Sequence, residues 1–306
     1  MPTETVVLFR NGLGNFICYT PALQALASLD SHGKVDVCLD KEWKDNRRDA
    51  MVDLVKGMPF VNALVEYPDI SLGYKKWFWS RHTYPCEALR VFMERDHRLD
   101  VGIAWQHSGI HEIESYMQLV RRFFSFTGET PKQYAPVDES FDVQKKKMLV
   151  ALCNGSYKGT GSDLSPSKVW GGFKELAKIL KGYYDCEIAK IGYLDELGDV
   201  EADRDYVGKL NILQTAKVIK ECDLLVTTDT CNMHIGDALN TKMVVIWGGS
   251  ILTKNQPVNG TAAIVSRGLG CQPCHDPDRF QYCVGYPCLA SLRVGDVMRE
   301  VRKMFP

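Results

Sequence analysis

The chain has 306 residues, 45% of them hydrophobic and 25% charged, with a formal net charge of −1. That length suits one large domain or two of about 150 residues, and the composition is that of a globular protein with an ample core. A charge so near zero excludes a global basic field that would gather nucleic acid and leaves only a local patch for that purpose.

No apolar run reaches the ~18 residues of a membrane span, and the first residues, MPTETVVLFRNG, lack the basic and apolar regions of a secretory signal. A cytoplasmic chain is expected, with at most peripheral membrane contact. Eleven cysteines are many for such a location. Cys18, Cys38, Cys86, Cys153, Cys186, Cys222 and Cys231 are scattered, several within apolar runs, and read as buried free thiols rather than a disulfide framework.

In chain order, a strand is predicted over residues 5–10, and a helix over 20–29 with Thr20 as cap and Pro21 in its first turn. Strands follow at 34–39, 60–67 and 99–105, and an amphipathic helix at 113–126. Residues 127–147 hold two prolines, many polar side chains and a lysine triplet, and read as a linker between domains 1–140 and 141–306. The second half repeats the alternation. Strands are expected at 148–154, 187–191, 223–228 and 243–247, with helices at 172–181, 212–220 and 233–239. Alternating strands and helices predict parallel sheets, here two Rossmann-like domains. Ligands of such sheets bind beyond the C-terminal strand ends, so a site between the halves would be lined by the loops after the strands.

The pointed stretches fall on that edge: NGLGN, NGSYKGTGSDLSPSKVW, DTCNMH and GGS each follow a predicted strand. Turns use Gly, Asn and Ser anyway, but four such turns on one edge favour a ligand. Gly155 and Ser156 open a loop leading through Lys168 into a helix; backbone N–H groups, a hydroxyl and an ammonium suit a diphosphate. No GxxxxGK[ST] occurs, and the opening stretch has Ile17 where GxGxxG needs its third glycine, so neither a P-loop nor a plain dinucleotide site is indicated. Asp229, Thr230 and His234 stand at the start of a short helix, either as a cap and a core histidine or as contacts to a phosphate-bearing ligand. Cys271, Cys274, Cys283 and Cys288 make C-x2-C-x8-C-x4-C, a metal-ligand spacing whose rivals are disulfides and a cluster of free thiols. In YKKWFWSRHTY, basic residues alternate with aromatics that could stack on sugars or bases; a helix or loop with a buried aromatic face is the plainer reading.

Four passages together resemble glycosyltransferase family 9, the ADP-heptose:lipopolysaccharide heptosyltransferases: RNGLGNFICYTPALQAL, SPSKVWGGFKELAKIL, CDLLVTTDTCNMHIGDALNTKMVVIWGGS and CQPCHDPDRFQYCVGYPCLASL. The resemblance implies a GT-B fold, two Rossmann-like domains whose parallel sheets face each other across a cleft. It also implies inverting, metal-independent transfer from a nucleotide-diphospho-sugar, an ADP-sugar before a UDP- or GDP-sugar, to a lipopolysaccharide or other surface-glycan hydroxyl. By position, Gly155 and Ser156 would meet the donor phosphates and Lys168 would neutralise the leaving diphosphate. Asp195 or Glu196 would hold the ribose, Leu210 the base, and Asp229, Thr230 and His234 the phosphates and sugar. Gly12 and Gly14 would allow close approach to the sugar. On the metal reading of their spacing, the four C-terminal cysteines would hold a structural zinc or iron that takes no part in catalysis.

Two positions depart from the family. Where it carries its general-base aspartate this chain has Asn15, an amide that can position a hydroxyl but cannot take its proton. His107, His111, Asp40 and Asp163 are candidate substitutes. Cys231 stands where the family has glycine. These departures keep other readings open: transfer to a hydroxylated DNA base or a protein, a nucleotide-sugar epimerase or hydrolase, and a non-catalytic nucleotide-sugar binder.

Overall fold

A computed structural model describes residues 5–9, 12–40, 48–67, 76–79, 110–155, 166–193, 196–274 and 283–306. The expected strand at 99–105 and the candidates Ser156, Asp195, His107 and Asp163 lie outside the described residues, as does the side chain of Asp40. The chain divides into two compact units, Met1–Pro136 and Val137–Pro306.

Unit 1 is a parallel sheet with helices. Strand β1 (Thr5–Leu8) is central, with β2 (Val35–Asp40) and then β3 (Val61–Tyr67) on one side and β4 (Lys76–Trp79) on the other. The order β3-β2-β1-β4 is wholly parallel. Residues 76–79 of the tryptophan-rich stretch thus form a strand in register with Thr5–Leu8, not a helix or loop. Aromatic side chains favour a pleated surface, and β1 offers a free edge.

Helix α1 (Leu13–Ser28) starts directly out of the glycine turn, well before the predicted residue 20. Pro21 is inside the helix rather than in its first turn. Proline cannot donate to the carbonyl four residues back, but the Thr20 hydroxyl donates to that same Ile17 carbonyl at 2.8 Å and takes the Tyr134 N–H at 2.8 Å. Thr20 therefore repairs the helix interior instead of capping its start. Nearly every side of α1 is apolar, and Phe16, Ile17, Leu23 and Leu26 are fully buried. Helix α2 (Arg48–Lys56) covers β3, and α3 (Glu112–Phe124) packs on α1, with Tyr19 and Tyr116 edge to face at 4.7 Å. Acidic Glu112 and Glu114 in the first turn of α3 and Arg121 and Arg122 in its last complement the helix dipole.

The polar segment 127–147 is docked at both ends rather than loose. The Gln24 amide donates to the Lys132 carbonyl at 2.7 Å within unit 1. Within unit 2 the Asp138 N–H meets the Leu213 carbonyl at 3.1 Å, and Glu139 pairs with Lys217 and Lys220.

Unit 2 holds a six-stranded parallel sheet ordered β10-β9-β8-β5-β6-β7. Its strands are β5 (Met148–Cys153), β6 (Cys186–Lys190), β7 (Arg204–Asp205), β8 (Leu224–Thr228), β9 (Met243–Ile246) and β10 (Ala262–Val265). The main helices are α4 (Phe173–Tyr183), α5 (Ile212–Glu221), α6 (Cys231–Ala238) and α9 (Val294–Met304); the short α7 (Leu252–Asn255) and α8 (Pro287–Ala290) lie between α6 and α9. Leu152, Val226, Val244 and Ile246 of the strands are fully buried against Phe173, Leu176 and Val297 of the helices. Helices on a parallel sheet bury both of its faces, so the strands read as continuous apolar runs. Asn211 and Gln214 form a reciprocal capping box that starts α5.

Candidate active site

In unit 2 the chain leaves β5 toward β6 and later returns to β8 on the other side of β5. The crevice at such a reversal, beyond the C-terminal strand ends, is where parallel α/β sheets bind ligands. The loops after β5 and β8 meet there. Gly155 adopts φ 77°, a conformation that suits glycine, and its N–H donates to the Thr228 hydroxyl at 3.0 Å.

Asn154, buried just before Gly155, organises the next turn. Its Oδ1 accepts from the Trp170 N–H at 3.0 Å, and its Nδ2 donates to the Trp170 and Glu196 carbonyls, each at 3.1 Å. Trp170 is buried, stacks edge to face on Phe173 at 5.2 Å and donates its indole N–H to the Leu292 carbonyl at 3.1 Å. Just ahead of it, the 3₁₀ turn Pro166–Lys168 carries Lys168.

The Lys168 ammonium lies 2.7 Å from Asp229 Oδ2, with the two side chains only 16% and 4% exposed. The Ser250 hydroxyl donates to the same oxygen at 2.5 Å. Burial pushes the Asp229 carboxyl up, but the Lys168 and His234 charges, with hydrogen bonds from Lys168 and Ser250, hold it below the ordinary carboxylate value of 3.8. His234 is buried one turn into α6, close enough to act on Asp229.

Thr230 does not cap α6 with its side chain. Its Oγ1 sits 3.3 Å from the Thr227 hydroxyl and 4.0 Å from the Cys153 thiol. Asp229 is engaged by Lys168 and Ser250, so neither residue is the simple cap that the sequence allows. The first turn of α6 carries no acidic side chain to occupy its N–H groups. Burial pushes the thiol of Cys231, the first residue of α6, up to about 12, so it adds a neutral side chain to the helix start.

The turn after β9 is pressed against the Lys168 turn. A Cβ on Gly248 would stand 2.2 Å from the Ser167 backbone carbonyl and 3.1 Å from Leu289 Cδ1. Gly248→Ala is therefore expected to displace the segment bearing Lys168, costing about 1–3 kcal/mol. A thermal melt checks this, and a variant with an unchanged melting temperature overturns it.

Lys168, Asp229, Thr230, His234, Gly155 and Glu196 are thus gathered around one switch point. Leu210 is half-buried and immediately precedes the α5 cap.

The sequence profile of glycosyltransferase family 9 (heptosyltransferase) matches residues 93–283. The chain belongs to this family. It is 29% identical over 102 residues to lipooligosaccharide heptosyltransferase 2 of Campylobacter jejuni subsp. jejuni serotype O:6, a match that spans 33% of this chain and 32% of that relative. It superposes on a family 9 glycosyl transferase of Veillonella parvula with a TM-score of 0.76 at 15% identity, covering 98% of this chain and 96% of the other. On the E. coli ADP-heptose lipopolysaccharide heptosyltransferase II the TM-score is 0.72 at 16% identity, covering 99% and 98%. The fold is the GT-B fold of these enzymes.

The family's opening segment lies in unit 1. Gly12 is extended and precedes α1, whereas Gly14 is helical. A Cβ on Gly12 would stand 3.1 Å from Asn15 Oδ1, so the missing side chain leaves room for the amide to fold back. Asn15 Nδ2 donates to Glu112 Oε1 at 2.7 Å. Of the substitute bases, the described His111 is already engaged: it precedes α3 and its Nδ1 accepts from the Ile113 N–H at 3.2 Å.

The cysteine-rich tail braces the Ser250 turn. The Cys274 N–H donates to the Gly249 carbonyl at 2.9 Å, and Gln272 Nε2 to the Gly248 carbonyl at 2.6 Å. Cys274 and Cys288 are buried, Cys283 is half-buried and Cys271 is exposed, all as free thiols. Burial first, then the neighbouring sulfurs, push the Cys274 and Cys288 thiols up. Four thiols are a donor set for zinc or iron, and they gather at one corner. Among the described residues, however, no three His, Cys, Asp or Glu side chains close into a ligand group.

Sequence reasoning missed Ser250, Asn154, Trp170 and Glu112 as parts of these two clusters. GGS and NGS were visible as turns, but a hydroxyl's partner on a neighbouring strand has no local signal.

Proposed function

We propose that this family 9 chain transfers a sugar from a nucleotide-diphospho-sugar to an acceptor hydroxyl, with inversion and without a catalytic metal. The observation that carries the reading is the buried Lys168–Asp229–Ser250 cluster at the switch point of unit 2. A largely buried cation beside a helix start that carries no acidic side chain is prearranged to stabilise the charge that develops on a departing diphosphate. Asp229 keeps Lys168 aimed there. Gly155 and Ser156 complete the phosphate contacts, with Thr230 and His234 toward the sugar, Asp195 or Glu196 on the ribose and Leu210 on the base. Gly12 and Gly14 keep the acceptor side thin.

Likeness to the E. coli and Campylobacter enzymes supports an ADP-heptose-type donor and a lipopolysaccharide-type acceptor. Among the described residues no helix is long and apolar enough to cross a membrane. The transferase reading includes, as part of the same proposal, a cytoplasmic reaction with peripheral contact to a lipid-linked acceptor. A zinc or iron ion on Cys271, Cys274, Cys283 and Cys288 enters this reading only as a structural brace for the Ser250 turn.

The test is a thermal-shift screen against ADP, GDP, UDP, CDP and dTDP. A ligand at a hundredfold its Kd adds about 2.7 kcal/mol to stability, a shift of several degrees. ADP is expected to give it. No shift with any nucleotide at millimolar concentration overturns the reading.

A further inference from the structure

Asn15 is half-buried at the start of α1, and its one hydrogen bond among the described residues is to a carboxylate on another helix. Glu112 is only 2% exposed. Its Oε1 takes two hydrogen bonds, from Asn15 Nδ2 at 2.7 Å and from the Tyr116 hydroxyl at 2.8 Å. Among the described residues its second oxygen, Oε2, carries none. A carboxylate oxygen left out of these hydrogen bonds keeps its acceptor capacity for another donor.

Among the described residues, the groups around it leave Glu112 as the proton acceptor of this corner. Tyr116 lies one turn along its own helix. Tyr19 and Cys18 face Tyr116 from α1, and Gln133 Nε2 donates to the Cys18 sulfur at 3.7 Å. His111 accepts from the backbone at the helix start. Burial holds both phenols well above the ordinary tyrosine range, so they are neutral donors. The amide of Asn15 cannot accept a proton, and its orientation is fixed by Glu112 on one side and by the gap at Gly12 on the other.

We propose that Glu112 is the general base of the transfer reaction and that Asn15 holds the acceptor hydroxyl beside it, so that one task is divided between two side chains. This rests on the transferase reading above. The acceptor O–H gives its proton to Glu112 Oε2 as its oxygen bonds to the anomeric carbon. The bond from that carbon to the diphosphate oxygen breaks, and the diphosphate departs with the electron pair. Glu112 then returns the proton to water.

The experiment compares wild type, Glu112→Gln, Asn15→Asp and the exchange Asn15→Asp/Glu112→Gln. It uses ADP-heptose and, in parallel, GDP-, UDP-, CDP- and dTDP-sugars as donors, with heptose-deficient lipopolysaccharide as acceptor, and follows release of nucleoside diphosphate across pH. Glu112→Gln keeps the side chain's shape and an oxygen for both donors. It is expected to lower kcat about 10²- to 10⁴-fold, to leave donor KM unchanged and to abolish the acid limb of the pH–rate profile. The exchange returns a carboxylate to the pair from the other side and is expected to recover most of the rate and the acid limb. Recovery separates base chemistry from packing even where Glu112→Gln alone folds poorly. Glu112→Gln turning over like wild type, or an exchange that folds and stays as slow as Glu112→Gln, overturns this proposal and leaves the transferase reading standing. No turnover by wild type with any donor overturns both.

Discussion

Lys168→Ala is expected to abolish sugar transfer, lowering kcat/KM by about 10³-fold or more. Removing a single prearranged donor from a developing oxyanion costs ~10²–10³, and Lys168 supplies a full charge in a site where it is only 16% exposed. The nucleoside diphosphate that stabilises the wild type should no longer do so. The substitution also strands Asp229, whose side chain is 4% exposed. Breaking a buried ion pair from one side costs about 3–5 kcal/mol, less here by whatever the Ser250 hydroxyl retains. The loss depends on pH. In the wild type the folded Asp229 carboxyl lies below its ordinary value of 3.8, so its contribution to stability is present above that value and fades as pH falls through the folded one. Without Lys168, burial, which pushes this carboxyl up, loses its main opponent, and ionised Asp229 becomes a liability at neutral pH. The melting-temperature gap between wild type and variant is therefore largest near pH 7 and narrows below about pH 4. A gap that is flat across pH, or transfer at the wild-type rate, contradicts this account.

Trp170→Ala is expected to cost about 3–5 kcal/mol, the range for emptying a buried large aromatic site, and so to lower the melting temperature by roughly 10 °C. The indole fills space no neighbour can reclaim: a Cβ on Gly172 would stand 2.2 Å from its ring, and Phe173 meets it edge-on at 5.2 Å. Its N–H is also the partner of the Leu292 carbonyl. The consequence reaches the site because Trp170 closes the segment that carries Lys168, and its backbone is held by Asn154 at the mouth of the β5 loop. Nucleotide-induced stabilisation should shrink with the stability itself. Trp170→Phe, which keeps much of the ring volume but not the N–H, should fall between. Chemical denaturation measures both, and a loss under about 1 kcal/mol for the alanine variant would mean that the cavity collapses freely.

Four of the six strands of unit 2 were legible in the sequence to within a residue or two because a parallel strand buried on both faces is a short apolar run with clear ends, as DLLVTT and MVVIW show against Leu224–Thr228 and Met243–Ile246; the edge strands Arg204–Asp205 and Ala262–Val265 were not, being short and less buried. The start of α1 was misread. Thr20–Pro21 imitates a helix start, and the hydroxyl that compensates the proline does so through a bond to Ile17 that sequence order alone does not reveal. The strand Lys76–Trp79 was missed because four residues carry too little periodicity to show their state; pairing with β1 decides it.

The candidate site divides in the same way. Sequence alone picked out Lys168, Asp229, Thr230 and His234, because charged and hydroxyl side chains just after apolar strands are unusual and their order along the chain matches that of a known family. It also marked Asn15 as the amide that cannot do an aspartate's work. The partners came only from the folded chain. Ser250 reaches Asp229 because β8 and β9 are neighbours in the sheet. Glu112 reads as an ordinary acidic residue in a helix's first turn until α3 packs on α1 and brings it to Asn15, 97 positions away in the chain. Local patterns fix which residues can carry chemistry, since they follow from side-chain type and strand or helix period. Which of them share a proton or a charge depends on contacts between elements distant in sequence, and packing alone creates those.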